Sequence, residues 1–183
     1  DAKEPIEVSH TFFSSPVSPA KWTDQFTERL ENGSLVIDTV VEVKRECKFI
    51  FQANLYDMKG NPTHWVTTNT VLEPGFRTVS FVFFGKIFHD SGSEGRFTLR
   101  ELRGTCENLP FPASWIGNPA KVDAIANAAP LEEPVMYYMP YTSRSYTTQR
   151  EYRLKDFSNA AWSSPEKEAR IREMEESAKH EGE

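Results

Sequence analysis

The chain has 183 residues and a formal net charge of −6; 38 % of its residues are hydrophobic and 13 % aromatic, with Phe alone occurring 13 times. That length supports one domain with a substantial core plus extra segments. The acidic balance argues against a general nucleic-acid binder and against adhesion to anionic lipid, both of which need a basic face. No apolar run reaches the roughly 20 residues of a membrane-crossing helix.

No signal peptide is present, and Asp1 is not a natural first residue, so the chain reads as one whose leader has been removed or as a fragment of a longer protein. Residues 1–11 are polar, with a possible first strand over Ile6–Phe13, and Ser14–Ala20 holds two prolines and reads as an extended connector. Trp22, Phe26 and Leu30 recur every four residues, which predicts a short helix over Lys21–Leu30. Asn32-Gly33 turns the chain into a strand over Ser34–Lys44. There Leu35, Ile37, Val41 and Val43 share one face and Val36 and Val40 the other, the signature of a central strand.

Alternation of apolar and polar residues then dominates. Cys47–Tyr56 is a strand, Asp57 to Pro62 a hairpin loop with Gly60 free to take positive φ, and His64–Thr70 the returning strand. Glu73-Pro74-Gly75 turns into Arg77–Phe84. Gly85 interrupts this strand and Lys86-Ile87-Phe88 resumes it, before the flexible loop Asp90–Gly95 and the strand Arg96–Arg103. Residues 105–145 hold six prolines and little periodicity beyond a short helix over Val122–Ala129, so they form a segment packed across the sheets or a partly mobile extension. Tyr146–Leu154 closes the sheet as one more strand. Ser164 as N-cap and Pro165 as first residue open a charged tail helix, with Glu166 and Arg170, and Glu168 and Arg172, paired four apart. The domain reads as 1–158, its Pro/Tyr-rich extension as 105–145 and the helical tail as 159–183.

Few residues suggest chemistry. His10, His64, His89 and His180 are scattered, and no nucleophile elbow, zinc-protease pair or phosphate loop is present, so the chain reads as a non-enzyme without cofactor or metal. Asp57 with Asn61, and Asp90 with Glu94, offer oxygen ligands to calcium, but Asp and Asn are also ordinary turn residues. Cys47 and Cys106 allow two readings: two buried thiols, or a disulfide tying the end of the sheet in an oxidising compartment. Trp22, Trp65, Trp115 and Trp162 are expected as core or core-edge anchors. Asn32-Gly33-Ser34 fits a glycosylation acceptor. The cluster Met136 to Tyr141 offers Tyr137, Tyr138, Met139 and Tyr141 as a partner-binding surface, suited to protein or to sugar rings; the plainer alternative is that it covers a sheet edge.

The order of several phrases resembles a bacterial immunoglobulin-like module of secreted and periplasmic multidomain proteins. These are Phe12 to Pro16, Leu35 to Val43, Ala53 to Asp57 with Gly60-Asn61-Pro62, Leu72 to Gly75, Val79 to Ile87, Gly92 to Leu99 and, more loosely, Tyr146-Thr147-Thr148 with Tyr152 to Phe157. The resemblance leaves out 105–145 and the charged helix. It implies an all-β, immunoglobulin-like antiparallel sandwich of about seven strands, exported to the periplasm or outside the cell. It also implies a non-catalytic scaffold or interaction role toward another protein or an assembly. A carbohydrate-binding module is the alternative.

Overall fold

A computed structural model describes residues 17–132 and 135–180. The expected strand over Ile6–Phe13, the Phe12 to Pro16 phrase and His10 lie outside these residues. Six long strands divide between two antiparallel sheets. β1 (Ala20–Glu31), β2 (Ser34–Val43), β3 (Cys47–Asp57), β4 (Pro62–Leu72) and β5 (Gly75–Phe83) run in succession, then the helix α1 (Gly85–Ser91) leads to β6 (Phe97–Glu107). After β6 come a short helix α2 (Val122–Ala126), two short strands β7 (Met136–Tyr138) and β8 (Tyr146–Thr147), and the tail helix α3 (Pro165–His180). One sheet has the order β1-β2-β5; the other runs β4-β3-β6-β7, with β8 also paired to β6. The two pack face to face in a sandwich-like all-β fold around one core. Phe49, Phe51, Phe81, Phe83, Phe88 and Phe97 are all buried there, beside Leu35, Ile37, Leu55 and Leu99. The high Phe content is accounted for by this layer of flat rings.

Lys21–Leu30 is strand, and the helix expected there is wrong. A period of two places residues 22, 26 and 30 on one face as surely as a period of 3.6 does. The register runs Trp22↔Val41, Phe26↔Thr39, Leu30↔Leu35, with a bulge between Trp22 and Phe26 that sets three residues against Val40. The Thr23 hydroxyl donates to the Val40 carbonyl at 2.7 Å and holds the bulge. The same register turns Glu28 inward, opposite Ile37.

The second correction is at Lys86-Ile87-Phe88, which is helix and not resumed strand. α1 ends at Gly92 (φ 63°), whose N–H reaches the His89 carbonyl while the Ser93 N–H reaches that of Phe88, a left-handed cap that glycine adopts without strain. Lys86 and Asp90 pair across one turn at 2.7 Å. α1 carries the chain from one sheet to the other, and its Phe88 stacks on Phe157 (3.9 Å between ring centres) and meets Phe97 edge-on at 5.0 Å.

His64 lies beneath Phe88 at 4.0 Å, buried, with no well-formed hydrogen bond to either ring nitrogen among the described residues. Burial lowers its pKa to about 4, opposed in part by the Phe84 backbone. An unfolded histidine titrates near 6.5, so as pH falls the unfolded chain takes up the proton first. Stability is full above about pH 6.5 and is expected to fall by about 3 kcal/mol as pH drops to about 4. Urea titrations at intervals across that window check this, and His64→Leu should remove the acid-sensitive limb.

The carboxy-terminal part of the body is irregular. Of the strand expected over Tyr146–Leu154 only Tyr146–Thr147 is ladder. Tyr152 then bridges to Gly95, and Leu154–Asp156 is a single helical turn. Ser158 N–H donates to the Gly33 carbonyl at 2.9 Å. Gly85 sits in the same contact, where a Cβ would collide with the Gly33 carbonyl and the Ser158 backbone. Beyond this point α3 opens as expected, with the Ser164 hydroxyl accepting from the Lys167 N–H at 3.1 Å. Its apolar residues Ile171 and Met174 are exposed, and Arg170 pairs with Glu173. No helix among the described residues is long and apolar enough to cross a membrane.

Candidate functional site

The Met136 to Tyr141 cluster runs along the edge of the larger sheet. β7 pairs with the end of β6 in the register Thr105↔Tyr138, Cys106↔Tyr137, Glu107↔Met136, and Met139 N–H extends the pairing to the Gly104 carbonyl at 2.8 Å. A strand's period of two then divides the candidates. Tyr137 and Met139 point inward and are 2 % and 7 % exposed, while Tyr138 between them is 37 % exposed; Tyr141, past the end of β7 and outside that alternation, is 78 % exposed. Tyr137 and Met139 are therefore core, a correction to their expected partner-binding role. Gly104 is glycine because a Cβ there would run into the Met139 sulfur, and the Arg45 guanidinium lies 5.0 Å over the Tyr137 ring. Met139→Ala is expected to cost about 3 kcal/mol, as for other buried Met truncations, and Tyr141→Ala less than about 0.5 kcal/mol; denaturant midpoints separate them.

Tyr138, Pro140 and Tyr141 form one wall of an open cleft of about 570 Å³ floored by Gln52, Arg103 and Thr105. A smaller recess of about 90 Å³ adjoins it, sharing Gln52 and Arg103 and ending at Asn54, Glu101 and Trp65. Trp65 is 65 % exposed, so the expectation that it anchors the core is wrong: His64 takes the inward position on β4 and Trp65 the outward one. Trp162 is likewise exposed, whereas Trp22 packs edge-on against Phe51 and Trp115 stacks on Phe111. Glu101 sits in a bulge of β6, where residues 101 and 102 oppose Ala53, and takes φ 56°, which non-glycine residues seldom adopt. The bulge turns Arg100 and Glu101 outward in succession. The Glu101 carboxylate accepts from the Asn54 amide and from the Tyr56 hydroxyl at 3.0 Å. That bond holds the Tyr56 phenol above its ordinary pKa, and Arg100 lies 5.3 Å over the Tyr56 ring.

Cys47 and Cys106 are joined as a disulfide between the neighbouring strands β3 and β6, with Cα atoms 5.7 Å apart. The loop acids weighed for calcium are engaged locally. Asp57 accepts from the Lys59 and Asn61 backbone N–H groups and from the Asn61 amide, bonds that hold its pKa below the usual carboxylate value. Asp90 pairs with Lys86, and Glu94 accepts from Leu154 N–H at 2.7 Å. Glu46 is lowered by accepting from Ser114 N–H. His89 contacts the Phe157 carbonyl at 3.1 Å. Asn32 lies in the β1–β2 turn at φ 50°.

The largest polar junction went unforeseen. The Glu28 carboxylate accepts four hydrogen bonds: from the hydroxyls of Tyr146 (2.8 Å) and Tyr152 (3.0 Å), and from the backbone N–H groups of Gln149 (2.9 Å) and Arg150 (3.1 Å). Phe26 stacks on Tyr146 beside it at 5.2 Å. Burial first, and Glu28 second, push Tyr146 up to about 12, and Tyr152 is raised for the same reasons. The signal for Glu28 was its parity with Trp22, Phe26 and Leu30, visible only once the segment is read as strand.

No protein-family model matches the sequence, and no curated protein matches it. Among solved structures the chain is similar to β-glucosidase 3B from Thermotoga neapolitana in its complexes with glycerol, α-D-glucose and glucose. Identity is 12 % in each case, over 74 %, 72 % and 74 % of this chain, with TM-scores of 0.33, 0.32 and 0.33. At those scores the likeness carries no argument about fold or activity. The chain spans about 17 % of the length of those proteins.

Proposed function

We propose that this chain is a non-catalytic recognition module of an exported bacterial multidomain protein, immunoglobulin-like in build, that holds a partner protein or assembly through Tyr138 and Tyr141. One observation carries the reading. Tyr137 and Met139 are anchored in the core and fix the segment, so that Tyr138 between them is presented outward, with Tyr141 exposed two residues beyond Met139. Tyrosines held in this way offer large contact area at small entropic cost.

Other features support parts of it. The first, second and fifth strands form one sheet and the third, fourth, sixth and seventh the other, a division in keeping with immunoglobulin-like sandwiches. The disulfide departs from the antibody pattern by linking neighbours within a sheet, yet it favours an oxidising compartment. Asp57, Asp90, Glu94 and Glu28 are each engaged in holding turns or the Tyr146–Tyr152 segment, which suits a scaffold better than an acid–base site.

A photo-crosslinking residue at Tyr141, expressed in the native organism, tests the proposal. A discrete protein adduct is expected from position 141 and none from Phe76, an exposed aromatic on the smaller sheet. Absence of an adduct at 141, or equal adducts at both positions, would sink it.

A further inference from the structure

We propose that the outer face of the larger sheet carries a second, separate site, centred on Trp65 and Glu101, that binds a pyranose ring of a glycan. Three observations converge on it. Trp65 lays an open aromatic face, 65 % exposed, beside the recess lined by Gln52, Asn54, Glu101 and Arg103. Aromatic faces pack the C–H surface of a sugar ring while polar neighbours take its hydroxyls. Glu101 is held at φ 56° in the β6 bulge, a conformation costing about 1–3 kcal/mol that persists where surroundings impose it and clusters at ligand sites. Its carboxylate is fixed by Asn54 and Tyr56, so the acceptor is oriented in advance, as recognition of vicinal hydroxyls requires.

Size and polarity select the ligand. The recess of about 90 Å³ holds about three waters. That is room for the hydroxyl-bearing edge of one ring and too little for a large protein side chain. Its lining combines amide, carboxylate and guanidinium groups, which between them both donate and accept, as sugar hydroxyls do. The site uses neither Tyr138 nor Tyr141, so it stands or falls apart from the partner surface.

The test is an NMR titration of the whole 15N-labelled chain with cellohexaose, chitohexaose and hexagalacturonate, following the Trp65 indole and the backbone amide resonances of Gln52 and Arg103, which remain in every variant. At least one sugar is expected to shift it with Kd of about 1 mM or tighter. Trp65→Ala and Asn54→Ala should each weaken binding at least about tenfold with Tm unchanged, and Phe76→Ala should leave it intact. Glu101→Gly, which frees the backbone and removes the carboxylate, should keep Tm and lose the sugar. No shift with any of the three at about 10 mM, a response that survives Trp65→Ala or Glu101→Gly, or capture of a polypeptide at Trp65 without a sugar response would each overturn the assignment.

Discussion

Replacing Glu28 by alanine is expected to lower the free energy of unfolding by about 4 kcal/mol, since it strands two part-buried phenols at about 1–3 kcal/mol each and frees two backbone donors that water can re-engage. The Glu28 carboxylate is the sole acceptor shared by Tyr146, Gln149, Arg150 and Tyr152 among their described bonds, and it joins the edge strand of one sheet to the segment that closes the other. Glu28→Gln should recover only part of the loss, because its amide would set two donors against donors. Equilibrium urea unfolding measures both, and Glu28→Ala within about 1 kcal/mol of the parent would refute the account. The same junction predicts alkaline lability. Tyr146 is held protonated up to about 12, whereas an unfolded tyrosine loses its proton near 10. Stability from the phenol is therefore full below about pH 10 and declines as pH rises from there to about 12.

Opening the Cys47–Cys106 bond is expected to cost a similar amount. The bond closes a separation of 59 residues, for which loss of chain entropy in the unfolded state gives about 4 kcal/mol. For a domain of this size that corresponds to about 10 °C in Tm. It is a large share of the 5–15 kcal/mol that folded domains typically hold. Thermal unfolding with and without reductant, and of the Cys47→Ser, Cys106→Ser double variant, should agree. A Tm indifferent to reductant would show that the crosslink constrains little. Because β3 and β6 already pair along most of their length, the double variant is expected to keep its fold and its β-sheet circular dichroism at 25 °C.

The strands between Ser34 and Phe83 were legible because their periods are clean and Pro, Gly and Asn punctuate them: the expected Ser34–Lys44, Cys47–Tyr56 and Arg77–Phe84 differ from β2, β3 and β5 by one or two residues at their ends. The tail helix was legible from its cap. Lys21–Leu30 was not, because spacing by four fits both periods and the bulge at residues 23–25 removes the alternation that would have decided. α1 was missed because seven residues hold too few turns for periodicity to show, although Gly92 and the Lys86–Asp90 spacing were there to be read.

The candidate site was half legible. Composition singled out the tyrosines, but only pairing with β6 assigns Tyr137 and Met139 to the inside and Tyr138 to the outside. The face bearing Trp65 and Glu101 depends on the phase of β4 and on a bulge in β6, and neither leaves a mark in local sequence.

The closing of the sandwich along its flanks has a consequence for solubility. At one flank the Thr68 hydroxyl of β4 donates to the Ser80 carbonyl of β5. At the other, the Tyr146–Tyr152 segment is tied to β1, and β7 and β8 cover β6. A strand whose unpaired backbone lies open is a template for another chain; here the free side of β6 is taken by β7 along Thr105–Glu107 and by β8 along Thr98–Leu99. Over those stretches a second copy finds no open ladder on β6 to extend.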